Sequence, residues 1–151
     1  MFSFKHRLPD DFFKGACDIH CHLLPGVDDG FATAEKSLHA LEVLEKRGVS
    51  KMILTPHFMK DYPDNDRNSI TAKFEAFKAE AAKVSKIELR LAAEYMLDAR
   101  FMEHFKQGFL FLDKDNTHVL LLWIQEHITA RRVRKSGALD CLSLTRNRIL
   151  I

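Results

Sequence analysis

Apolar positions in the first two thirds of the chain fall into blocks that alternate between the strand period and the helix period. "ACDIH" (16–20) reads as a short buried strand. In "ATAEKSLHALEVLEKRG" (32–48), Ala34, Leu38, Leu41 and Leu44 recur at three- and four-residue spacing, which predicts an amphipathic helix. Thr33 suits its N-cap, Glu35 its first turn, and Gly48 its stop. "SKMILTPH" (50–57) predicts a second strand around Met52, Ile53 and Leu54, closed by Pro56, with His57 at the strand exit. After the polar loop "MKDYPDNDRN", the stretch "SITAKFEAFKAEAAKVSK" carries Ile70, Phe74, Phe77, Ala81 and Val84 on one helical face. A third strand, "IELRLAAEY", ends near Glu94, and Asp98 is placed to cap a short helix, "ARFMEHFKQ", stopped by Gly108. The order β-α-β-α-β-α predicts an α/β fold of parallel strands with crossover helices.

Beyond Phe109 the pattern weakens. "FLFL", the turn-like "DKDN" and "HVLLLWI" fit a hairpin, whereas residues 125–151 show no usable period. Charge changes at the same place: residues 125–151 carry a net +4, and the preceding residues −2. With 46% hydrophobic and 29% charged residues, the 151-residue chain has apolar material for a core, which excludes fibrous and disordered classes. No run approaches the ~20 apolar residues of a membrane span, and the N-terminus lacks a signal-peptide pattern, so a cytoplasmic location is expected. Cys17, Cys21 and Cys141 form no CxxC pair, which argues against a disulfide framework or zinc ribbon.

In open parallel sheets and barrels, ligands sit beyond the carboxyl ends of the strands. His20, His22, His57 and Glu94 fall at the exits of three predicted strands, so right-handed crossovers bring them to one face. Imidazoles with a neighbouring carboxylate suit divalent transition metals. Asp18, Asp28 and Asp29, in "DIHCHLLPGVDDG" (18–30), can add oxygen ligands or orient the histidines. An H-x-H pair alone is weak, because two loop histidines are more often solvated; the matching positions of His57 and Glu94 favour a metal. His39 and His104 read as surface residues, and His118 and His127 lie where no element can be assigned. Alternation along the strand points Cys21 away from the histidines, into packing.

"DIHCHLLPGVDDG", "ILTPHF" and "AAEYMLD", in this order, resemble the bacterial PHP-domain tyrosine phosphatases of the capsule and exopolysaccharide type. The resemblance covers roughly residues 12–112. It implies a distorted (β/α)7 barrel binding up to three ions, commonly manganese, although another divalent metal would suit the same ligands. It further implies hydrolysis of phosphotyrosine by a metal-activated water, without a cysteine nucleophile. His20 and His22 would bind the first metal, Glu94 would be a carboxylate of the cluster, and His57 and Asp29 would be ligands on its other side. No residue is assigned as a catalytic acid or base. The expected substrate is a phosphotyrosine protein, such as a bacterial tyrosine kinase, with no nucleic acid and no membrane span involved.

The resemblance also calls for later V-E-F/M-S, H-P-E-R or H-V-E-R, and D-x-H segments. "HVLLLWIQEH" stands where the first belongs, and the other two are not in the sequence. The chain is therefore expected to be a truncated or frameshifted member. It would comprise the N-terminal half of the PHP barrel at 12–120, incomplete, and a basic tail at 121–151. Little or no phosphotyrosine turnover is expected from it, and its open strand edge and apolar helix faces predict poor solubility or homo-oligomer formation. The alternatives are a catalytically inactive remnant, or another PHP phosphoesterase such as a histidinol phosphatase. Nucleic-acid or acidic-surface binding through "ARRVRK" ranks last, because a short basic run without aromatic residues is usually a solvated tail.

Overall fold

A computed structural model describes residues 12–110, 112–114, 117–119, 121–123, 143–145 and 148–150. In chain order the elements are β1 (Ala16–Cys21), α1 (Ala34–Lys46), β2 (Val49–Leu54), β3 (His57–Phe58), α2 (Arg67–Ala81), β4 (Glu88–Leu91), β5 (Glu94–Met96) and α3 (Phe101–Gln107). They continue with β6 (Leu112–Lys114), β7 (Thr117–Val119), β8 (Leu121–Trp123), β9 (Ser143–Thr145) and β10 (Arg148–Leu150). The class is α/β, as expected.

The strands lie in two rows. One is a parallel sheet in the order β1-β2-β4, and the second runs β3-β5-β8-β10-β9. In the second row β3, β5 and β8 are parallel, and β10 and β9 are antiparallel additions. The predicted second and third strands each span both rows but are interrupted, at 55–56 and 92–93. Pro56 has no N–H to give to a ladder, so its strand breaks there. Main-chain bonds still stitch the rows together: Thr55 N–H donates to Cys21 O (2.9 Å), Ala92 N–H to Leu54 O (2.8 Å) and Glu94 N–H to Pro56 O (3.0 Å). His57 and Glu94 thus open the short strands β3 and β5 instead of merely ending longer ones, and they stand directly opposite one another in the pairing.

The helices follow their sequence signals closely. Thr33 caps α1, accepting from Lys36 N–H, and Gly48 follows the helix at φ +94°, a conformation that side chains other than glycine's rarely adopt. α2 starts earlier than its apolar period suggests. Asp66 caps it by accepting from Ser69 N–H (2.9 Å), while the Ser69 hydroxyl accepts from Asp66 N–H (3.2 Å). Ile70, Phe74, Phe77 and Ala81 are buried as the period requires, whereas Val84 lies past the helix end and is exposed. Asp98 does not cap α3. The N-cap is Arg100, with no side-chain bond, and Asp98 instead accepts from Arg100 N–H (2.8 Å) and Lys60 N–H (2.6 Å), tying two loops together.

β6 and β7 pair antiparallel; Asp115 and Asn116 of the turn-like "DKDN" lie outside the described residues. β9 and β10 lie in the stretch whose sequence shows no period. Leu41, Leu54, Ile70, Phe58 and Tyr95 form the centre of one core under both rows, each 0–1% exposed. Each such side chain contributes roughly 1.5–3 kcal/mol by leaving water.

Candidate metal centre

β1 delivers His20 and His22 to the same face because strand side chains alternate with period two. Cys21 points the other way, donating its thiol to Ile53 O (3.5 Å) and packing against the core. Burial, reinforced by the nearby Asp18 carboxylate, pushes the Cys21 thiol up to about 12. Its sulfur is turned away from His20 and His22, as alternation predicts. Asp18 accepts from His20 N–H (3.0 Å) and so fixes the backbone at the first histidine.

After His22 the chain buries Leu23, Leu24 and Val27, then turns back on itself. The return brings Asp28 beside the histidine it follows. Asp28 Oδ2 lies 2.8 Å from His22 Nδ1 and accepts from His57 N–H (3.1 Å), while Oδ1 accepts from Gly30 N–H (3.0 Å). Gly30 lies so close to His22 that a Cβ there would stand 2.0 Å from the His22 carbonyl oxygen. The "DDG" sequence is therefore a packing requirement as well as a source of carboxylates.

Glu94, with a fully buried side chain, is the hub. Its Oε2 lies 3.2 Å from His20 Nε2, 3.3 Å from His22 Nε2 and 3.2 Å from His57 Nδ1. The two Nε2 atoms of His20 and His22 are 3.3 Å apart. On the outer side, Asp29 Oδ1 is 3.2 Å from His57 Nε2, with Asp29 itself largely exposed. Burial pulls the His22 imidazole down, but its bonds to Asp28 and Glu94 outweigh that and raise it to about 9. Burial and the field of His22 hold His57 below its ordinary value. For Glu94 the upward push of burial is overcome by the hydrogen bonds from His20 and His22, so its carboxyl sits far below the usual range.

Among the described residues two groups of donors could hold a divalent ion: His20, His22 and Glu94, and His22, Asp29 and His57, with all donor atoms in each group within 4.8 Å of one another. Ligand atoms about 2.1 Å from a tetrahedral ion stand about 3.4 Å apart. The separations of 3.2–3.3 Å among the His20, His22 and Glu94 atoms fit that figure. Asp28, engaged at Nδ1, leaves Nε2 of His22 facing the group, the usual way a carboxylate orients a ligating histidine.

All five residues expected from the sequence, His20, His22, Asp29, His57 and Glu94, thus lie in one cluster. His39 is exposed beside Glu42, as expected of a surface residue. His104 is not a surface residue: it is 1% exposed, packed against the rings of Phe58 and Tyr95, because α3 turns that face inward. The side chains of His118 and His127 lie outside the described residues.

Two contributors escaped the sequence reading. Asn65 is buried and donates through Nδ2 to both Val27 O (2.9 Å) and His57 O (2.8 Å), and Tyr62 stacks on the His57 ring. Both sit in a polar loop whose composition signals only a turn.

Comparison with known proteins agrees with the motifs. The family described as "Capsular polysaccharide synthesis, CpsB/CapC" matches residues 16–137. Tyrosine-protein phosphatase YwqE of Bacillus subtilis (strain 168) is 40% identical over 40 residues, covering 26% of this chain and 16% of that protein. Tyrosine-protein phosphatase CpsB of Streptococcus agalactiae serotype V is 36% identical over 66 residues, covering 44% of this chain and 27% of that protein. The matched stretches thus span from about a sixth to about a quarter of these relatives' own length. No described helix is long and apolar enough to cross a membrane. With its match extending over most of the chain and the described cluster of histidines and carboxylates inside it, this protein belongs to the CpsB/CapC family of capsular polysaccharide synthesis.

Proposed function

We propose that the chain is a metal-dependent phosphatase of the PHP type acting on phosphotyrosine in proteins, its described strands forming part of a distorted (β/α)7 barrel. The observation that carries this reading is the convergence of three imidazoles on the one buried oxygen Glu94 Oε2. A buried carboxylate ringed by imidazole nitrogens suits a cation. Manganese is the proposed ion, and the names of the matched relatives supply the substrate class.

A bound divalent ion supplies a water of lowered pKa and neutralises charge on the phosphoryl oxygens. This chain's residues do the rest. His20, His22 and Glu94 would hold one position, and His57 and Asp29 would extend it outward. Asp28 keeps His22 Nδ1 engaged so that Nε2 stays available. The chain's substrates would be bacterial tyrosine-phosphorylated proteins, a tyrosine kinase among them.

The test compares hydrolysis of a phosphotyrosine peptide, histidinol phosphate and phosphoserine peptide by the same manganese-supplemented protein. Phosphotyrosine turnover that vanishes in His22→Ala supports the reading. Preference for histidinol phosphate would move the chain to another phosphoesterase class, and metal binding with no turnover of any ester would make it a remnant.

A further inference from the structure

We infer that Tyr62 is a positioning residue of this cluster, fixing the His57 ring through stacking so that His57 presents one nitrogen to Glu94 and the other to Asp29. The inference rests on the reading of the cluster as a metal centre. The Tyr62 and His57 rings are parallel to within 6°, with centroids 5.7 Å apart. His57 also meets His22, centroids 4.4 Å apart at 41°. His57 thus has two ring neighbours, His22 and Tyr62, and of the two Tyr62 is not itself a candidate ligand.

The loop that carries Tyr62 is built to hold it. Tyr62 N–H donates to Met59 O (3.1 Å) and Asn65 N–H to Tyr62 O (3.0 Å). Arg100 donates through Nη1 to Pro63 O (2.8 Å), and Asp98 accepts from Lys60 N–H. Asn65 then closes the loop onto the His57 carbonyl. An imidazole bridging two carboxylates needs its ring plane fixed, because rotation about its axis would carry one nitrogen away from each partner. The residues that orient a ligating histidine typically change metal affinity 10- to 100-fold when lost.

Cobalt(II) is the probe, since its visible spectrum reports coordination geometry and needs no substrate. Wild type, Tyr62→Phe, Tyr62→Leu and Tyr62→Asn are titrated with cobalt alone, and each is checked by circular dichroism. Tyr62→Phe keeps the ring and is expected to retain the wild-type spectrum and affinity within about 3-fold. The ringless variants are expected to shift the visible bands and to bind roughly 10-fold or more weakly. A folded ringless variant with wild-type spectrum and affinity would overturn the inference, as would failure of both ringless variants to fold, which would make Tyr62 a purely structural residue. A role confined to gripping substrate would also leave these metal-only spectra unchanged, and so counts against it. Failure of the wild type to bind cobalt at all would instead remove the metal-centre reading beneath it.

Discussion

Gly30 shows how little freedom the first ligand loop has. A methyl group there would overlap the His22 carbonyl and come within 2.8 Å of the His22 Cβ, both parts of a residue at the heart of the cluster. Gly30→Ala is expected to displace His22, lowering divalent-metal affinity and costing about 1–3 kcal/mol of stability as overpacking does. Urea unfolding of metal-free protein measures the second effect, and cobalt titration the first.

His104 gives a second residue-scale expectation, this time in pH. Neither ring nitrogen has a hydrogen-bond partner among the described residues, and burial, helped by Arg100, lowers its pKa below the ordinary value. Glu103, Asp98 and Asp66 act in the opposite sense without overcoming this. The unfolded chain therefore takes up a proton near pH 6.5 that the folded chain resists. Stability associated with neutral His104 is complete above that pH and declines as pH falls below it. His104→Phe should flatten this part of the stability profile between pH 7 and pH 5, followed by urea midpoints. An unchanged slope would mean that other groups set the acid limb.

At the scale of elements, α2 offers the cleanest test because its start is fixed by a reciprocal pair of bonds. Asp66→Ala removes the acceptor for both Asn68 N–H and Ser69 N–H and is expected to cost about 0.5–2 kcal/mol. A parallel loss in the unfolding midpoint with no change in cobalt affinity would show that the cap serves the helix and not the site.

The contrast between α2 and the interrupted strands explains what the sequence could reveal. Helix faces were legible because Ile70, Phe74 and Phe77 repeat at a spacing only a helix buries on one side. His20, His22, His57 and Glu94 were legible because each stands at or just past the end of a predicted strand, and Asp29 because it follows the H-x-H pair within one loop. The breaks at 55–56 and 92–93 were less visible, since Pro56 reads equally as a strand end. His104 was misread because charged neighbours mask which side of a two-turn helix packs inward. Tyr62 and Asn65 act through contacts made only once the loop folds back over β3, and no local pattern encodes that.

For the whole molecule, apolar surface remains uncovered. Ile19 on β1 is 48% exposed, and Met102 and Phe105 on α3 are each 58% exposed. Among the described residues β1 pairs only with β2, leaving its other edge open. Concentration-dependent self-association is expected in sedimentation velocity, reduced by the double variant Ile19→Lys/Met102→Lys. Identical association of that variant would point to another surface.

The placement of Glu94 opposite β1 bears on how the chain holds itself together. Positions 20 and 94 are 74 residues apart in sequence, yet their side chains meet. An ion gripped by both would act as a reversible cross-link. For a covalent bridge over a loop of that length, the chain-entropy estimate is about 4 kcal/mol taken from the unfolded ensemble. Any species that binds only the folded state adds stability with its concentration, about 2.7 kcal/mol at a hundredfold excess over its dissociation constant. The thermal midpoint should therefore climb with added manganese, fall back with EDTA, and cease to respond in His22→Ala. Ion supply would then set how much of this protein survives folded, before it sets how fast any phosphate ester is cleaved.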